Sequence, residues 1–154
     1  MMAFFDKLTG TKRPQGSVTP LPVTDVINAL LALGNASTPF RVRRALSTEK
    51  ADLIAECEVP RVGVTVRTQM LIVSGKHQVR HLDERWENRS ANSAHRQYGR
   101  GNAPAVYRQW ESRNDTEGRR HRIEVFRFDT REVTDPLRDT VLDAGWTWRG
   151  VLKL

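Results

Sequence analysis

His77 and His81 stand four residues apart, a spacing that puts two imidazoles on one helix face and equally keeps them on one face of a strand. Asp83 and Glu84 follow closely and carry oxygen donors. A metalloprotease pair of the H-E-x-x-H kind needs a glutamate after the first histidine, and Gln78 stands there instead. With no cysteine nearby, the stretch predicts no metal site. The two histidines read as solvated residues on the outer face of a strand. Adjacent carboxylates on a strand point to opposite faces, so Asp83 and Glu84 make no acid–base pair. Cys57 is the single cysteine and sits between Glu56 and Glu58. Acidic neighbours oppose a thiolate, and its place on an alternating apolar face predicts a small buried hydrophobe. Gly99-Arg100-Gly101 lacks the rest of a G-x-G-x-x-G loop, and no G-x-S-x-G elbow occurs. No catalytic residue, metal or cofactor is therefore expected.

Binding chemistry is better represented. Arg85, Arg89, Arg96 and Arg100 surround a polar stretch from Asn88 to Ala103, with Trp86 and Tyr98 among them. Guanidinium groups bind phosphate, and aromatic faces stack on bases. Between Lys76 and Arg122 there are 11 basic residues against 6 acidic ones, within a chain of net charge +7. That balance favours an anionic partner, either nucleic acid or an acidic protein. Glu84, Glu87 and Glu111 interrupt the field, and no RNP, KH or zinc-finger signature is present. Only five of the 25 basic residues are lysine, which a GC-rich coding bias also explains.

Positioning these residues falls to a pattern of alternating segments. The first 22 residues are rich in Gly, Pro, Thr and Ser, and predict a flexible N-terminal arm ahead of one domain over residues 23–154. Thr24 is expected to cap a first helix carrying Val26, Ile27, Leu30 and Leu31, with Gly34 as its stop. Strand alternation follows over Phe40–Leu46, Ala51–Val59 and Val64–Ile72. Gln78–Glu87 fits both periods and is read as a strand, because Ser74-Gly75-Lys76 resembles a hairpin turn. Asn88–Ala103 reads as a long polar loop. Ala105–Trp110 and Arg119–Phe128 read as two more strands. Thr134-Asp135-Pro136 is expected to open a second helix that ends at Gly145, and Trp146 and Trp148 then begin a last strand as core residues. The fold class expected is α+β: a mostly antiparallel sheet of about six to seven strands in meander order, with two helices on one face.

The segment Thr134–Gly150, above all Gly145-Trp146-Thr147-Trp148-Arg149-Gly150, resembles a family of small uncharacterised proteins of high-GC Gram-positive bacteria. The stretches Phe4–Leu33 and Ala51–Glu56 are similar to that family too. The resemblance covers about half the chain and implies no activity, so it assigns no residue a role. The function expected is a non-catalytic binding or interaction module. A nucleic-acid binder using the 76–122 region is the second expectation, and an enzyme whose site forms only in the fold is the third. A single cysteine, with no apolar run of membrane-spanning length and no secretion signal at the start, predicts a cytoplasmic protein.

Overall fold

The computed structural model describes residues 7, 9–35, 38–88 and 96–154. The elements named among the described residues are α1 (Val23–Leu33), β1 (Arg41–Arg44), β2 (Leu53–Val59), β3 (Val64–Val73), β4 (Gln78–Asn88), β5 (Arg96–Arg100), β6 (Val106–Asn114), β7 (Arg120–Asp129), α2 (Arg131–Asp143) and β8 (Thr147–Gly150). Strands β1 to β5 form an antiparallel meander, and β8 returns to pair with β4 in parallel. The expected α+β class and its mostly antiparallel sheet are what the chain adopts. Strands β6 and β7 depart from expectation: they pair only with each other, as a separate two-stranded ribbon.

Period-two patterning explains the sheet. Leu53, Ala55, Cys57 and Val59 of β2 face the helices together with Val64, Val66 and Met70 of β3 and Val79 of β4. Against them pack Val26 and Leu30 of α1 and Val133, Leu137 and Val141 of α2, joined by Trp146 and Trp148. Cys57 is buried, and its thiol donates to the Pro39 carbonyl at 3.2 Å. Burial raises its pKa, and the charges of Glu132 and Glu58 add to that effect.

Strand β4 has the most demanding position. One edge pairs with β3 along its whole length, from Gln78 opposite Val73 to Glu87 opposite Val64. The other edge is divided. Residues Gln78–His81 pair with β8, and Glu84–Asn88 pair with β5. Since β8 runs parallel to β4 and β5 antiparallel, the two approach head to head and both end beside Leu82 and Asp83. Gly101 N–H donates to the Asp83 carbonyl at 3.0 Å, and Val151 N–H donates to the His81 carbonyl at 3.0 Å. Backbone pairing thus persists to the brink of the gap on both sides.

The polar stretch after Asn88 is not wholly a loop. Arg96–Arg100 forms β5, because a polar strand is tolerated at a sheet edge where one face stays wet. The second helix begins earlier than Thr134. Asp129 and Glu132 make a reciprocal cap: the Asp129 carboxylate accepts from Arg131 N–H at 2.9 Å, and Glu132 accepts from Asp129 N–H at 2.8 Å. Pro136 therefore lies inside α2 rather than in its first turn. Helix α1 starts at Val23, and no side chain caps it, Thr24 included. Its end at Gly34 agrees with expectation, as does the end of α2. There, Trp146 N–H donates to Val141 O at 3.1 Å and Gly145 N–H to Leu142 O at 2.9 Å, with Gly145 at φ +77°.

Part of the segment expected to be a loose arm is laid along β8. Lys12 and Trp148 exchange backbone hydrogen bonds at 2.7 and 2.8 Å. Thr11 is buried, and its hydroxyl accepts from Gly150 N–H at 3.1 Å. Leu21 O accepts from the Trp146 indole at 2.8 Å. Gly150 permits this contact, because a Cβ there would collide with the Thr9 carbonyl oxygen. Residues 1–6 and residue 8 lie outside the described residues.

Two outcomes follow from this packing. Gly150→Ala should destabilise the chain by roughly 1–3 kcal/mol in urea unfolding, while Gly75→Ala, which meets nothing within 4 Å, serves as the near-neutral control. Cys57 should react slowly with a thiol reagent in the native state and quickly in denaturant; rapid native labelling would contradict its burial.

Candidate functional site

The face of the sheet turned away from the helices is organised by charge. The antiparallel register sets Arg41, Glu56, Arg67, Glu84 and Arg100 side by side across β1 to β5. Each carboxylate in this row stands between two cations. Glu84 lies at the centre and is buried. Arg67 donates to it through Nε at 3.1 Å and Nη2 at 3.0 Å, Tyr98 through its hydroxyl at 2.5 Å, and Gln69 through its amide. Burial alone would raise the Glu84 carboxyl, but the donors Tyr98, Gln69 and Arg67 outweigh it and hold the pKa below the ordinary glutamate value.

Trp86, Tyr98 and Arg100, expected to bind a partner, do come together on this face. The Trp86 and Tyr98 rings lie 5.4 Å apart at 44°. Arg67 sits over Trp86 at 4.9 Å. Arg100 donates to the Tyr98 hydroxyl at 2.7 Å and to the Leu152 carbonyl at 3.1 Å. Arg85 is not with them. It lies opposite Val66 and Gly99, on the other face of the sheet, and pairs with Glu87 at 3.2 Å. Arg96 pairs in register with Asn88 at the start of β5, and Arg89 lies outside the described residues. The described part of the expected patch is thus an inward-facing ion pair and an outward network in which Arg67, Glu84, Tyr98 and Arg100 bond to one another.

The expected solvent exposure holds for His77 and is overturned for His81. His77 closes the turn before β4 at φ +47° and meets Trp146 edge-on at 5.4 Å. His81 is 2% exposed and stacks on Trp148, with ring centroids 4.0 Å apart at 12°. The cause is tertiary: β8 brings two tryptophans against the same end of β4. His81 Nδ1 lies 3.2 Å from Asp83 Oδ1, and Thr68 donates to that oxygen at 3.0 Å. Among the described residues, no group of three or more His, Cys, Asp or Glu side chains is arranged to hold a metal ion.

The ribbon β6–β7 was legible as two strands but not as a surface. Both its faces are exposed over most of its length. Its base is anchored. Tyr107 and Phe128 stack at 6.4 Å, Arg61 covers Phe126 at 4.9 Å, and Arg61 also donates to Gln109 at 2.8 Å. Beyond a register shift between Gln109 and Trp110, the far half leaves this support. Trp110 is 41% exposed there and Ile123 40%. Arg122 lies over the Trp110 ring at 5.5 Å. Asp115 organises the tip by accepting from Glu117 N–H at 2.9 Å, Arg119 N–H at 2.8 Å and the His121 ring at 2.9 Å.

No family model, curated protein or solved structure matches this chain. Its surfaces must therefore be weighed on their own chemistry.

On that basis the outer face is a stabilising network more than a docking plane. Its ring stack is closed by Arg67, and the Tyr98 hydroxyl both donates to Glu84 and accepts from Arg100. Sequence reasoning weighed Glu84 as an oxygen donor, as half of a carboxylate pair and as a charge that weakens the basic field, not as the centre of a network. Its register opposite Arg67 and Arg100 depends on strand pairing that no local pattern states. Among the described residues, no helix is long and apolar enough to cross a membrane.

Glu84→Gln should lower stability at neutral pH by about 1–3 kcal/mol, because donors to a buried carboxylate lose their ionic acceptor. The lowered pKa also fixes a sign. The ionised carboxylate stabilises the fold above the unfolded-state value of about 4.3, and that contribution fades as pH falls through the lower folded-state pKa. Urea unfolding across acid pH should show a shallower loss of stability in the variant than in the parent.

Proposed function

We propose that the chain is a non-catalytic interaction module that engages a protein partner with the β6–β7 ribbon. The observation that carries this reading is the exposure of Trp110 and Ile123 on a two-stranded ribbon that has left its supporting sheet. Isolated two-stranded ribbons are marginally stable in water, so such an element gains by meeting a second surface. Tryptophan contributes heavily to interfaces, combining a large apolar area with one donor. The charges also favour a protein over a polyanion. Residues 106–129 hold six arginines against five carboxylates. Several are paired locally, among them Arg113 with Glu111 at 3.3 Å and Arg119 with Glu117 at 3.7 Å. A mixed surface of this kind complements another mixed surface.

Nucleic-acid binding is the second reading, supported by one feature. A two-stranded ribbon has the width of a DNA major groove, and Arg122 and Trp110 already stack upon one another as a guanidinium and a base would. If Arg108, Arg120, Arg122 and Arg127 each neutralised a phosphate, affinity for duplex DNA would fall with salt at a log–log slope of about −4.

One comparison separates the readings. The chain and its Trp110→Ala/Ile123→Ser variant are used to capture partners from nuclease-treated lysate, and both are titrated against short DNA and RNA at several salt concentrations. The expected result is a protein partner retained after nuclease and lost in the variant, with the variant's melting temperature close to that of the parent. Capture unchanged by the variant would overturn the ribbon's role. Loss of capture on nuclease treatment, with a steep salt slope, would move the assignment to nucleic acid.

A further inference from the structure

Beside the Glu84 network, the outer face of the sheet carries a cavity of about 350 Å³, a volume in the range of small-molecule sites. Gln69 and Leu82 line it from the sheet, Glu49 and Lys50 from the β1–β2 connection, and Lys153 from the segment after β8. Arg67 of β3 and Arg100 of β5 complete the lining used here. Both borders are held in place. Glu49 accepts from Leu46 N–H at 2.7 Å and from the two Nη atoms of Arg43 at 2.8 and 3.0 Å, which fixes the connection. Leu152 O accepts from Arg100 Nη1 at 3.1 Å, and Val151 N–H donates to His81 O at 3.0 Å, which fixes the other side. The cavity is therefore preformed.

Its lining is cationic, and its four cations are of two kinds. The arginines are partly spent. Arg67 donates to Glu84 through Nε and Nη2, and Arg100 to Tyr98 and Leu152 through Nε and Nη1. Lys50 and Lys153 are exposed, and neither forms an ion pair or side-chain hydrogen bond with a described residue. Glu49 offers them little. Arg43 and the Leu46 N–H hold its carboxylate, and its pKa falls to about 2. The carboxylate at Leu154, which also lines the cavity, makes no ion pair with any of the four.

We infer that this cavity binds the phosphoryl group of a small organic phosphate, held between Lys50 and Lys153 and backed by Arg67 and Arg100. The cations reach the cavity from three sides: the β1–β2 connection, the segment after β8, and the sheet itself. A tetrahedral phosphoryl group presents oxygens in three directions, whereas a carboxylate presents two in one plane. Its charge of nearly two at neutral pH also answers two ammonium groups that lack an acidic partner. Four like charges repel a cation, and a neutral molecule gains nothing from the lysines. The volume exceeds that of the phosphoryl group alone, which leaves space for a small body over Leu82. The assignment is independent of the ribbon, which lies on other elements.

The test varies charge on a constant body. The full chain, labelled with ¹⁵N, is titrated at low salt and pH 7.5 with phenyl phosphate, benzenesulfonate and phenol, and with succinate as a dianion of other shape. Phenyl phosphate should shift the Gln69 side-chain amide saturably, and should bind about tenfold more tightly than benzenesulfonate or succinate, the worth of one charge-assisted hydrogen bond. Phenol should leave that resonance in place, and added salt should weaken the phosphate response. Lys50→Ala/Lys153→Ala removes two exposed side chains and should weaken phenyl phosphate binding by at least about tenfold at an unchanged melting temperature. Lys76→Ala, in the turn before β4, should bind as the parent does. The inference is overturned if phenyl phosphate gives no saturable shift, if benzenesulfonate or succinate binds as tightly, or if the double variant binds like the parent. A lipid source is separated by sedimentation with phosphatidic acid vesicles. Retention that the double variant loses, without a phenyl phosphate response, would overturn the small-molecule assignment in favour of a headgroup.

Discussion

The edge of β4 that carries two strands is the constraint from which most of this structure follows. A strand ordinarily offers each edge to one neighbour. Here β3 takes one edge, while β5 and β8 divide the other between them. That division forces the chain to leave the sheet after β5, because the place beside β4 must be kept for β8. The chain spends the interval in β6, β7 and α2, and returns through Gly145. The ribbon lies in that excursion, between the two strands that share the edge of β4. The N-terminal segment, in turn, covers the free edge of β8 through Lys12, so a short strand of four residues is bonded on both sides.

The two faces of the sheet are held by different physics. The inner face buries apolar side chains under two helices, and most of the hydrophobic stabilisation lies there. The outer face is not covered by either described helix, although Ile54 and Leu82 are buried there. Alternating arginines and carboxylates take that place, with Glu84 at the centre and Tyr98, Gln69 and Arg67 around it. Pairs of this kind on a surface contribute little singly. A buried member with several donors is different, because losing any donor exposes the cost of burying the charge. The network therefore specifies register more than it adds affinity between strands: a slip of one residue would turn Glu84 inward and Asp83 outward.

Much of the fold was legible because it rests on local periodicity. Val64, Val66, Thr68 and Met70 alternate without a break, and Pro60, Gly63 and Gly75 punctuate the strands. The two helices carry their apolar faces at the expected spacing. The errors arose where distant segments decide. His81 has the look of an exposed strand residue until β8 supplies Trp148 from sixty-seven positions later. The pairing of Arg85 with Glu87, away from Trp86, is a consequence of strand alternation once Gln78–Asn88 is known to be extended throughout. The start of α2 was the one readable signal passed over. Asp129-Thr130-Arg131-Glu132 has the spacing of a capping box, but it lies at the end of β7, and Thr134-Asp135-Pro136 three residues on offers a second plausible start. Proline is tolerated inside α2 because Leu137 and Val141 bury the helix on its core side, a tertiary gain that outweighs one lost hydrogen bond.

The His81–Asp83 pair resembles the oriented base of many hydrolases, but its surroundings give it a structural part. A base of that kind works on a nucleophile held within hydrogen-bond reach of its free nitrogen. The hydroxyls nearest the gap are those of Thr9 and Thr11, which bond one another at 2.8 Å, and Thr11 is also held by Gly150 N–H. Neither bonds to Nε2. The ring is also clamped, by Trp148 on its face and by a Thr68-supported carboxylate at Nδ1. Held in this way and shut off from solvent, the ring ties β8 to β4 and β3 through Trp148, Asp83 and Thr68.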